Sequence, residues 1–444
     1  MLQRIEELIQ EKKFAQVREA IIELNSADIA LLMENLNNEE MLKVFRLLPK
    51  TLAADVFSYL PIEDEQTIID GLTDREAGTI IDNLYADDAA DFIEEMPSNV
   101  VKRLLANANP ETRRDINHLL RYPEDSAGSI MTVEFVDLKS YMTVEGAIQK
   151  IRRDGIDKET IDNCYVVGIH RKLLGTVSLR RLLLSEPDEL VSNIMHEHVI
   201  TVNTLMDQEE VAHQFQKYDF TTMPVVDSEN RLVGIITVDD IVDIMQQEAT
   251  EDIEMMAAIT PTDKPYMKEG VFDTWKKRIP WLLLLMISAA FTGKIIQVYE
   301  DALAAYVVLT SFIPMFMDTG GNAGGQASVT IIRGLSLNEI QYKDVFKIIW
   351  KEIRVAVLVG VTLAAANFAK LMLIDRVSVS IALVVCITLM ITVLAAKVVG
   401  CTLPILAKRI GFDPAVMASP FITTIVDALS LIIYFQVAKV LLGV

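Results

Sequence analysis

The sequence predicts a multidomain membrane protein with four parts: an N-terminal α-helical solenoid, a duplicated α+β domain, a linking helix and a transmembrane domain of five helices. Three observations lead to this fold class. Long apolar segments follow residue 270, and the excess of acidic residues precedes it. A strand-and-helix pattern occurs twice within residues 130–250. An amphipathic pattern typical of helices fills residues 1–125.

The charge of the chain is divided unevenly along its length. Residues 271–444 carry 15 Lys+Arg and 10 Asp+Glu, so the totals of 41 and 62 leave 26 basic and 52 acidic residues in residues 1–270. Such an acidic surface repels nucleic acid and attracts cations, although acidic charge also serves solubility alone. The three cysteines are too few and too scattered for a disulfide framework or a zinc site. We therefore expect no nucleic-acid partner.

Residues 1–127 are predicted to form the α-helical solenoid. Apolar residues recur there at spacings of three and four, as on one face of a helix. The stretch LAADVFSYLP (52–61) returns 36 residues later as DAADFIEEMP (88–97). A repeat of this length is typical of stacked helical hairpins. It places Asp55 and Asp91 at equivalent positions, and the second copy lies in an acidic cluster, YADDAADF.

Residues 130–250 contain two diverged copies of one α+β unit. IMTVEFVDLKSYMTVEGAIQKI is followed by the similar IMHEHVITVNTLMDQEEVAHQF, and LLGTVSLRRLLL by LVGIITVDDIVDI. Each copy predicts the order strand, helix, strand, strand, helix. The copies, 128–192 and 193–247, resemble a tandem pair of CBS domains, a regulatory module that often binds adenine nucleotides.

The resemblance to CBS domains implies a nucleotide site. In that family a hydroxyl residue and an Asp three positions later hold the ribose, and the second copy has Thr237 and Asp240. The first copy has Ser178 and Arg181 at the equivalent positions, so at most one ribose site is complete. The candidate contacts for ATP are Thr237, Asp240, Arg180 and Phe220. The sequence leaves open whether a nucleotide binds.

A linking helix is predicted between the soluble and membrane parts. DDIVDIMQQEATEDIEMMAAI (239–259) is helical in pattern and ends before Pro261 and Pro265. Its acidic residues form either a solvated face or, because the helix leads directly into the first span, a cation-binding surface. We assign residues 248–270 to this helix and its connector, and residues 271–444 to the transmembrane domain.

Five apolar segments are long enough to cross a bilayer, which takes about 20 helical residues. The predicted spans are 280–299, 302–332, 353–374, 378–403 and 415–438. Every basic cluster between them lies on the side of the N-terminal part, and basic residues stay on the cytoplasmic side of a membrane. The charged N-terminus is not a signal sequence. We therefore predict a multi-pass protein of the cell membrane with a cytoplasmic N-terminus and an external C-terminus.

The second predicted span is unusually polar. MDTGGNAGGQAS (317–328) contains four glycines, and Asp318, Asn322 and Gln326 share one helical face. This pattern is consistent with a glycine-mediated packing seam or with a face along an aqueous path.

The fifth predicted span contains a carboxylate. PFITTIVDALSLIIYF (420–435) carries Asp427 near its middle, where a charge costs at least ~2.5 kcal/mol. Asp427 either forms a structural ion pair with Lys397 or Lys439, or shares the aqueous path of the second span.

The order of these parts, with GGNAGGQAS (320–328) and PFITTIVD (420–427), resembles the MgtE family of magnesium channels over essentially the whole chain. The resemblance implies a homodimer whose pore lies on the two-fold axis, with Asp427 as the selectivity carboxylate. Mg²⁺ keeps several of its waters, so a pair of carboxylates suits it better than a closed protein cage. The implied pore residues are Asp427, Ala428, Thr424 and Asn322.

The resemblance also implies that the cytosolic domains bind regulatory Mg²⁺. Motif matching places the solenoid against the CBS edge, the CBS domains against each other across the dimer, and the linking helix near the start of the fifth span. It also pairs Asp55 with Glu209. The implied ligands are Asp55, Asp87, Asp91, Glu209, Asp219, Asp240, Asp243, Glu248, Glu251, Asp252 and Asp413. Mg²⁺ bridging these carboxylates would close the channel when cytosolic Mg²⁺ is high.

The sequence thus predicts a homodimeric, Mg²⁺-selective channel or transporter embedded in lipid, and not an enzyme. The alternative is a coupled secondary transporter of another divalent cation, such as Mn²⁺ or Co²⁺, with the same regulatory domains. The spans have no histidine, and Asp318 and Asp427 are expected to be their only deep carboxylates, which argues against a proton relay. A non-conducting membrane sensor would leave Asp427 unexplained.

Overall fold

The structure is a computed structural model and describes residues 2–262, 266–417 and 419–443. The chain divides into two compact units, Met1–Met245 and Gln246–Val444. The division lies within one helix, α15 (Val238–Met256), which covers most of the predicted linking helix. The finer domain boundaries that the sequence indicates stay predictions.

Ten short helices follow one another in the described residues up to Leu119. They are α1 (Leu2–Gln10), α2 (Phe14–Ile21), α3 (Ser26–Glu34), α4 (Asn38–Phe45), α5 (Lys50–Phe57), α6 (Ile62–Gly71), α7 (Asp74–Ile81), α8 (Ala86–Glu94), α9 (Ser98–Asn107) and α10 (Pro110–Leu119). Most helices pack on the helix two positions further along, as in the row α3, α5, α7, α9. The rings of Phe57 and Phe92, one from each copy of the sequence repeat, meet edge to face with centroids 5.1 Å apart.

Local sequence explains where these helices begin. Asn37 accepts a hydrogen bond from the backbone N–H of Glu40, and Thr73 forms a capping box with Glu76. Such caps satisfy backbone donors that have no partner within the helix. Asn109 caps α10 in the same way and is followed by Pro110, whose missing N–H costs nothing at the first helical position.

The two copies of the α+β unit each contain a three-stranded sheet. The strands are β1 (Asp137–Leu138), β2 (Asn163–Val167), β3 (Leu173–Ser178), β4 (Val202–Asn203), β5 (Thr222–Val226) and β6 (Leu232–Thr237). The helices are α11 (Val144–Asp154), α12 (Leu179–Leu184), α13 (Val191–Ile194) and α14 (Gln208–Tyr218). In both sheets the first strand pairs in parallel with the second, and the second pairs antiparallel with the third. The predicted order of strands and helices is confirmed in both copies.

The two copies pack against each other through their sheets. The hydroxyl of Tyr165 and the side-chain amide of Asn163 both donate hydrogen bonds of 3.1 Å to Oγ1 of Thr222 in the other copy. Around this contact Phe135 and Leu232 belong to one buried apolar cluster with Tyr165. The shared core holds the two copies together as one body.

The second unit consists of long helices. They are α16 (Val271–Val298), α17 (Glu300–Ala305), α18 (Ile313–Ser336), α19 (Val345–Lys370), α20 (Val379–Arg409) and α21 (Ser419–Leu442). Among the described residues, four segments are long and apolar enough to cross a membrane: Val271–Val298, Tyr342–Asp375, Val379–Arg409 and Pro414–Leu442. They correspond to the first, third, fourth and fifth predicted spans.

The second predicted span, 302–332, is not one helix. The chain forms α17, then a 3₁₀ helix (Val307–Phe312), and only then α18, which has 24 residues but is not among the four apolar segments. Its glycines and polar residues lower its hydropathy. In the described part, α18 packs against α20 and α21, α19 packs on α20, and α16 packs on α21.

Candidate ion pathway and ion-sensing sites

One face of α18 is a packing seam made by glycines. A Cβ atom on Gly320 would lie 2.8 Å from Oγ of Ser430, and one on Gly324 would lie 2.8 Å from Cγ2 of Ile422, both in α21. Gly400 of α20 faces the backbone carbonyl of Gly324 so closely that a Cβ there would overlap it. We call these residues of α18 and α20 the glycine seam. It brings the backbones of α18 and α20 into contact and lets side chains of α21 pack closely on α18, as small residues do between membrane helices.

The opposite face of α18 is polar and exposed. Asp318, Asn322 and Gln326 form a line along it, which we call the polar stripe. The side-chain amide of Asn322 donates a hydrogen bond of 3.1 Å to Oδ1 of Asp318. The glycines therefore pack on one side, as the packing-seam interpretation predicts, and the polar groups are open on the other, where an aqueous path stays a prediction.

Asp427 lies beside the polar stripe. Its carboxylate is partly exposed and is close enough to Asp318 for the two charges to interact. Thr424 and Ala428 are partly exposed on the same side of α21, and Oγ1 of Thr424 donates to the carbonyl of Pro420 at 2.9 Å. Two like charges repel each other and together attract a cation. The arrangement is thus suited to cation contact.

The structure excludes the two ion pairs considered for Asp427. Lys397 is paired instead with Glu352, with 3.2 Å between Nζ and Oε2. Lys439 lies three helical turns further along α21, about 18 Å away. Among the described residues Asp427 therefore has no basic partner.

The buried pair of Lys397 and Glu352 was not predicted. The two side chains are 7% and 13% exposed and join α20 to α19. The expectation that Asp318 and Asp427 are the only deep carboxylates stays a prediction, because Glu352 lies one residue before the predicted third span, 353–374. The one sequence signal was a lysine within the apolar run LAAKVVGC (394–401).

Seven carboxylates in the first unit interact electrostatically, and we call them the acidic cluster. They are Glu65, Asp87, Asp88 and Asp91 from the helical part and Glu134, Glu159 and Asp240 from the CBS part. Burial, together with Asp88 and Asp91, raises the pKa of Glu65 to about 8. Burial, followed by the charges of Asp88 and Asp240, raises the pKa of Asp91 to about 7. The predicted neighbourhood of Asp87, Asp91 and Asp240 is therefore present in the fold.

The acidic cluster is short of hydrogen-bond donors. Among the described residues, Oδ1 of Asp87 and Oε2 of Glu159 are buried without a hydrogen-bond partner. Burial raises the pKa of Glu159 to about 8, with further contributions from Asp240 and Asp88. No group of three or more His, Cys, Asp or Glu side chains within the described ranges is close enough to hold a metal ion directly. Glu65, Glu134 and Glu159 had no spacing in the sequence that marked them.

The other predicted ligands of the first unit are more dispersed. Burial raises the pKa of Asp55, whose charge acts on Asp88. Glu209 lies 3.7 Å from Nε2 of His213 on α14. Asp219, at the end of that helix, and Asp243, on α15, are exposed. Two predictions are not tested by the structure. One is that Asp55 pairs with Glu209, and the other is that Asp219 and Asp243 lie at a dimer interface.

The remaining predicted ligands belong to the second unit. Glu248, Glu251 and Asp252 are partly exposed on the last turns of α15. At the end of that helix Met255 and Met256 pack against an apolar patch formed by residues of α18 and of the turn before α21. Asp413 lies in the same turn, where its Oδ1 accepts a 2.7 Å hydrogen bond from the N–H of Ala415.

The predicted nucleotide contacts differ in their surroundings. Thr237 is buried at the end of β6, and its hydroxyl donates a 2.5 Å hydrogen bond to Oδ2 of Asp240. Phe220 is partly buried and stacks on Tyr218, with ring centroids 5.5 Å apart. Arg180 is exposed on α12 of the other copy. Thr237 and Asp240 are thus joined by a hydrogen bond, whereas Arg180 lies in the other copy, and their contacts with a nucleotide stay predictions.

Family profiles and individual relatives agree on what the chain resembles. The profile of MgtE, described as a divalent cation transporter, matches residues 313–437; that of the MgtE intracellular N domain matches 24–125, and that of the CBS domain matches 191–247. The magnesium transporter MgtE of Thermus thermophilus is 38% identical over 99% of this chain and 98% of its own length. The chain belongs to the MgtE family. MgtE of Bacillus subtilis is 36% identical over 79% of this chain and 77% of its own length.

A solved structure agrees with the fold of the first unit. The cytosolic domain of the Mg²⁺ channel MgtE, in complex with ATP, is 39% identical and aligns with a TM-score of 0.53 over 55% of this chain and all of its own length. Within this MgtE chain, the N-domain profile spans the helices that carry Asp55, Asp87 and Asp91. The transporter profile spans both the polar stripe and Asp427. The polar stripe, Asp427 and the members of the acidic cluster from the helical part thus lie inside segments that the family profiles match.

Proposed function

We propose that this MgtE chain imports Mg²⁺ across the cell membrane along a path lined by the polar stripe and Asp427. The observation that carries this proposal is the position of an unpaired carboxylate beside an exposed polar face, between helices otherwise apolar. An ionisable group at this depth is costly and is normally kept for an ion pathway. The names of the two relatives, both magnesium transporters, support Mg²⁺ as the ion.

The path is completed by a second copy of the chain. The polar stripe is exposed in one chain, and polar groups at membrane depth need protein or water beside them. A two-fold axis next to α18 and α21 would bring two Asp427 carboxylates to one hydrated ion, which suits the reluctance of Mg²⁺ to lose its waters. Asn322, Thr424 and Ala428 would then contact those waters. In this arrangement α18 is a fifth span, and its seam lets it cross the membrane despite its polarity.

The acidic cluster is the proposed sensor of cytosolic Mg²⁺. Glu65 and Asp87 are buried, and among the described residues Oδ1 of Asp87 and Oε2 of Glu159 have no hydrogen-bond partner, so a divalent cation would relieve a repulsion that the protein cannot relieve itself. Within the described ranges no three of these groups are close enough to hold a metal ion directly, so the proposed ion would keep waters between itself and the carboxylates. Each site occupied at about 5 Kd in the closed state alone adds about 1 kcal/mol, so several sites could close the gate. Binding of Mg²⁺ at these sites would also move the helical part, which we propose is a solenoid of stacked hairpins.

ATP is proposed to bind the second CBS copy. The buried hydroxyl of Thr237 and the carboxylate of Asp240 already form one unit that could hold a ribose. The solved relative in complex with ATP supports this assignment. Because Asp240 also belongs to the acidic cluster, binding of ATP and binding of Mg²⁺ should affect each other.

Uptake into liposomes tests the transport proposal. Purified full-length protein is reconstituted around a Mg²⁺ indicator, and a membrane potential is imposed with and without a proton gradient. We expect Mg²⁺ to enter in response to the membrane potential, without a need for the proton gradient. Mn²⁺, Co²⁺ and Ca²⁺ are the comparison ions. Entry that requires the proton gradient would instead identify a coupled secondary transporter.

A further inference from the structure

A cavity of about 460 Å³ lies at the start of α16. One wall is the segment before the helix, with Tyr266 and Glu269, and the other is one face of the first turns of α16. On that face the lining side chains include Trp275, Arg278 and Leu282, at the helical spacing of three and four. The cavity therefore has a charged end towards the helix start and an apolar end towards the membrane span.

The positive charge of Arg278 is only partly balanced by the protein, because it acts on Glu269 without forming an ion pair with it. Glu269 is 6% exposed and is already paired with Lys277 at 2.7 Å, and it also accepts a 2.9 Å hydrogen bond from Oγ1 of Thr274. The paired lysine is followed directly by Arg278, which makes no ion pair with any residue that the structure describes. An anion is the ligand that this end of the cavity can bind.

The place of the cavity decides which kind of anion fits. Trp275 lies on the first turns of α16 and Tyr266 lies just before that helix, and aromatic rings at the end of a span favour the headgroup level of a bilayer. Beyond Arg278 the lining continues with Ile279 and Leu282 into the apolar span. A small soluble anion would use only the charged end, whereas a phospholipid would use both ends.

We propose that this cavity binds an anionic phospholipid of the leaflet at the N-terminal end of α16, with its phosphate on Arg278 and an acyl chain along Ile279 and Leu282. The site is separate from the ion path and from the acidic cluster, and it goes beyond the proposed transport function. A zwitterionic lipid carries a positive group that Arg278 and its neighbouring lysines repel. The cavity should therefore select lipids by headgroup charge.

Native mass spectrometry of the full-length protein tests this proposal. Titration with phosphatidylglycerol should give bound lipid at a concentration about fivefold lower than titration with phosphatidylcholine. Arg278→Gln should abolish this difference. Lys276→Gln is the matched control, because it removes a neighbouring positive charge that does not line the cavity, and it should keep most of the difference.

Three results would overturn the lipid assignment. The first is equal binding of the two lipids by the parent protein. The second is identical behaviour of the Arg278→Gln and Lys276→Gln variants. The third is displacement of phosphatidylglycerol by excess inorganic phosphate, which would identify a site for a free anion. If Arg278→Gln is unstable, Arg278→Met keeps the test decisive, because it removes the charge, keeps an unbranched side chain and should also abolish the preference.

Discussion

Asp427 is the single residue on which the proposed ion path depends most. Asp427→Asn keeps the size of the side chain and removes its charge. We expect Mg²⁺ uptake to fall at least about tenfold, because opposite charges 4 Å apart attract by about 4 kcal/mol at an effective dielectric constant of about 20. Asp301→Asn is the matched control, since Asp301 is exposed on α17. Equal uptake by the two variants in liposomes would refute the assignment of Asp427.

The buried pair of Glu352 and Lys397 should matter for stability more than a surface pair does. Glu352→Gln leaves a lysine that is 7% exposed without its partner, and breaking a buried pair costs about 3–5 kcal/mol. Lys347→Gln breaks a pair with Asp344 in which the lysine is 84% exposed, and it should cost less than about 1 kcal/mol. Thermal unfolding in detergent compares the two variants. An equal loss of stability in the two variants would show that burial does not strengthen the pair of Glu352 and Lys397.

The packing of α18 against α20 gives a prediction for a whole element. Gly400→Ala places a methyl group against the backbone of Gly324, which cannot move as a side chain can. We expect the free energy of unfolding to fall by about 1–3 kcal/mol, as it does at other overpacked sites. Gly293→Ala on α16 is the control, because no atom lies within 4 Å of its added methyl group, and alanine favours a helix by up to about 1 kcal/mol. Unchanged melting of Gly400→Ala would contradict the close approach of the two helices.

Elements with a local signal could be predicted from the sequence, and contacts across the fold could not. The two sheets follow from alternating β-branched residues, and α16, α19, α20 and α21 follow from apolar length. The start of α18 was placed 11 residues too early, because the apolar run continues through α17 and the 3₁₀ helix before it. The partner of Lys397 is 45 residues away in sequence, so no spacing rule connects the two. The acidic cluster likewise joins side chains from distant segments.

For the whole first unit, the acidic cluster predicts how stability depends on pH without Mg²⁺. In the unfolded chain these carboxylates have pKa values near 4, whereas Glu65 and Glu159 have pKa values of about 8 and Asp91 about 7. Between these values the folded state binds more protons, so its stability falls as pH rises from about 4 through about 8. Thermal unfolding of residues 1–262 in a chelator should therefore give a melting temperature that decreases over this range.

Millimolar Mg²⁺ should flatten this dependence, because the cation stabilises the ionised carboxylates. Asp91→Asn removes one member of the acidic cluster and should reduce both the pH slope and the effect of Mg²⁺. Asp28→Asn, at an exposed position on α3, is the control and should change neither. A pH slope that monovalent salt at equal ionic strength removes as well as Mg²⁺ does would show screening and not ion binding.

The two faces of α18 have a consequence for how the protein is made. Membrane helices leave the ribosome in sequence order, and α18 is complete before α20 and α21, which cover its glycine seam, have been synthesised. At that moment Asp318, Asn322 and Gln326 would face lipid, and the helix is not apolar enough to enter the bilayer by itself. Burial of the glycine seam must therefore wait for the later helices, and in the proposed dimer the polar stripe gains a partner only when a second copy of the chain joins.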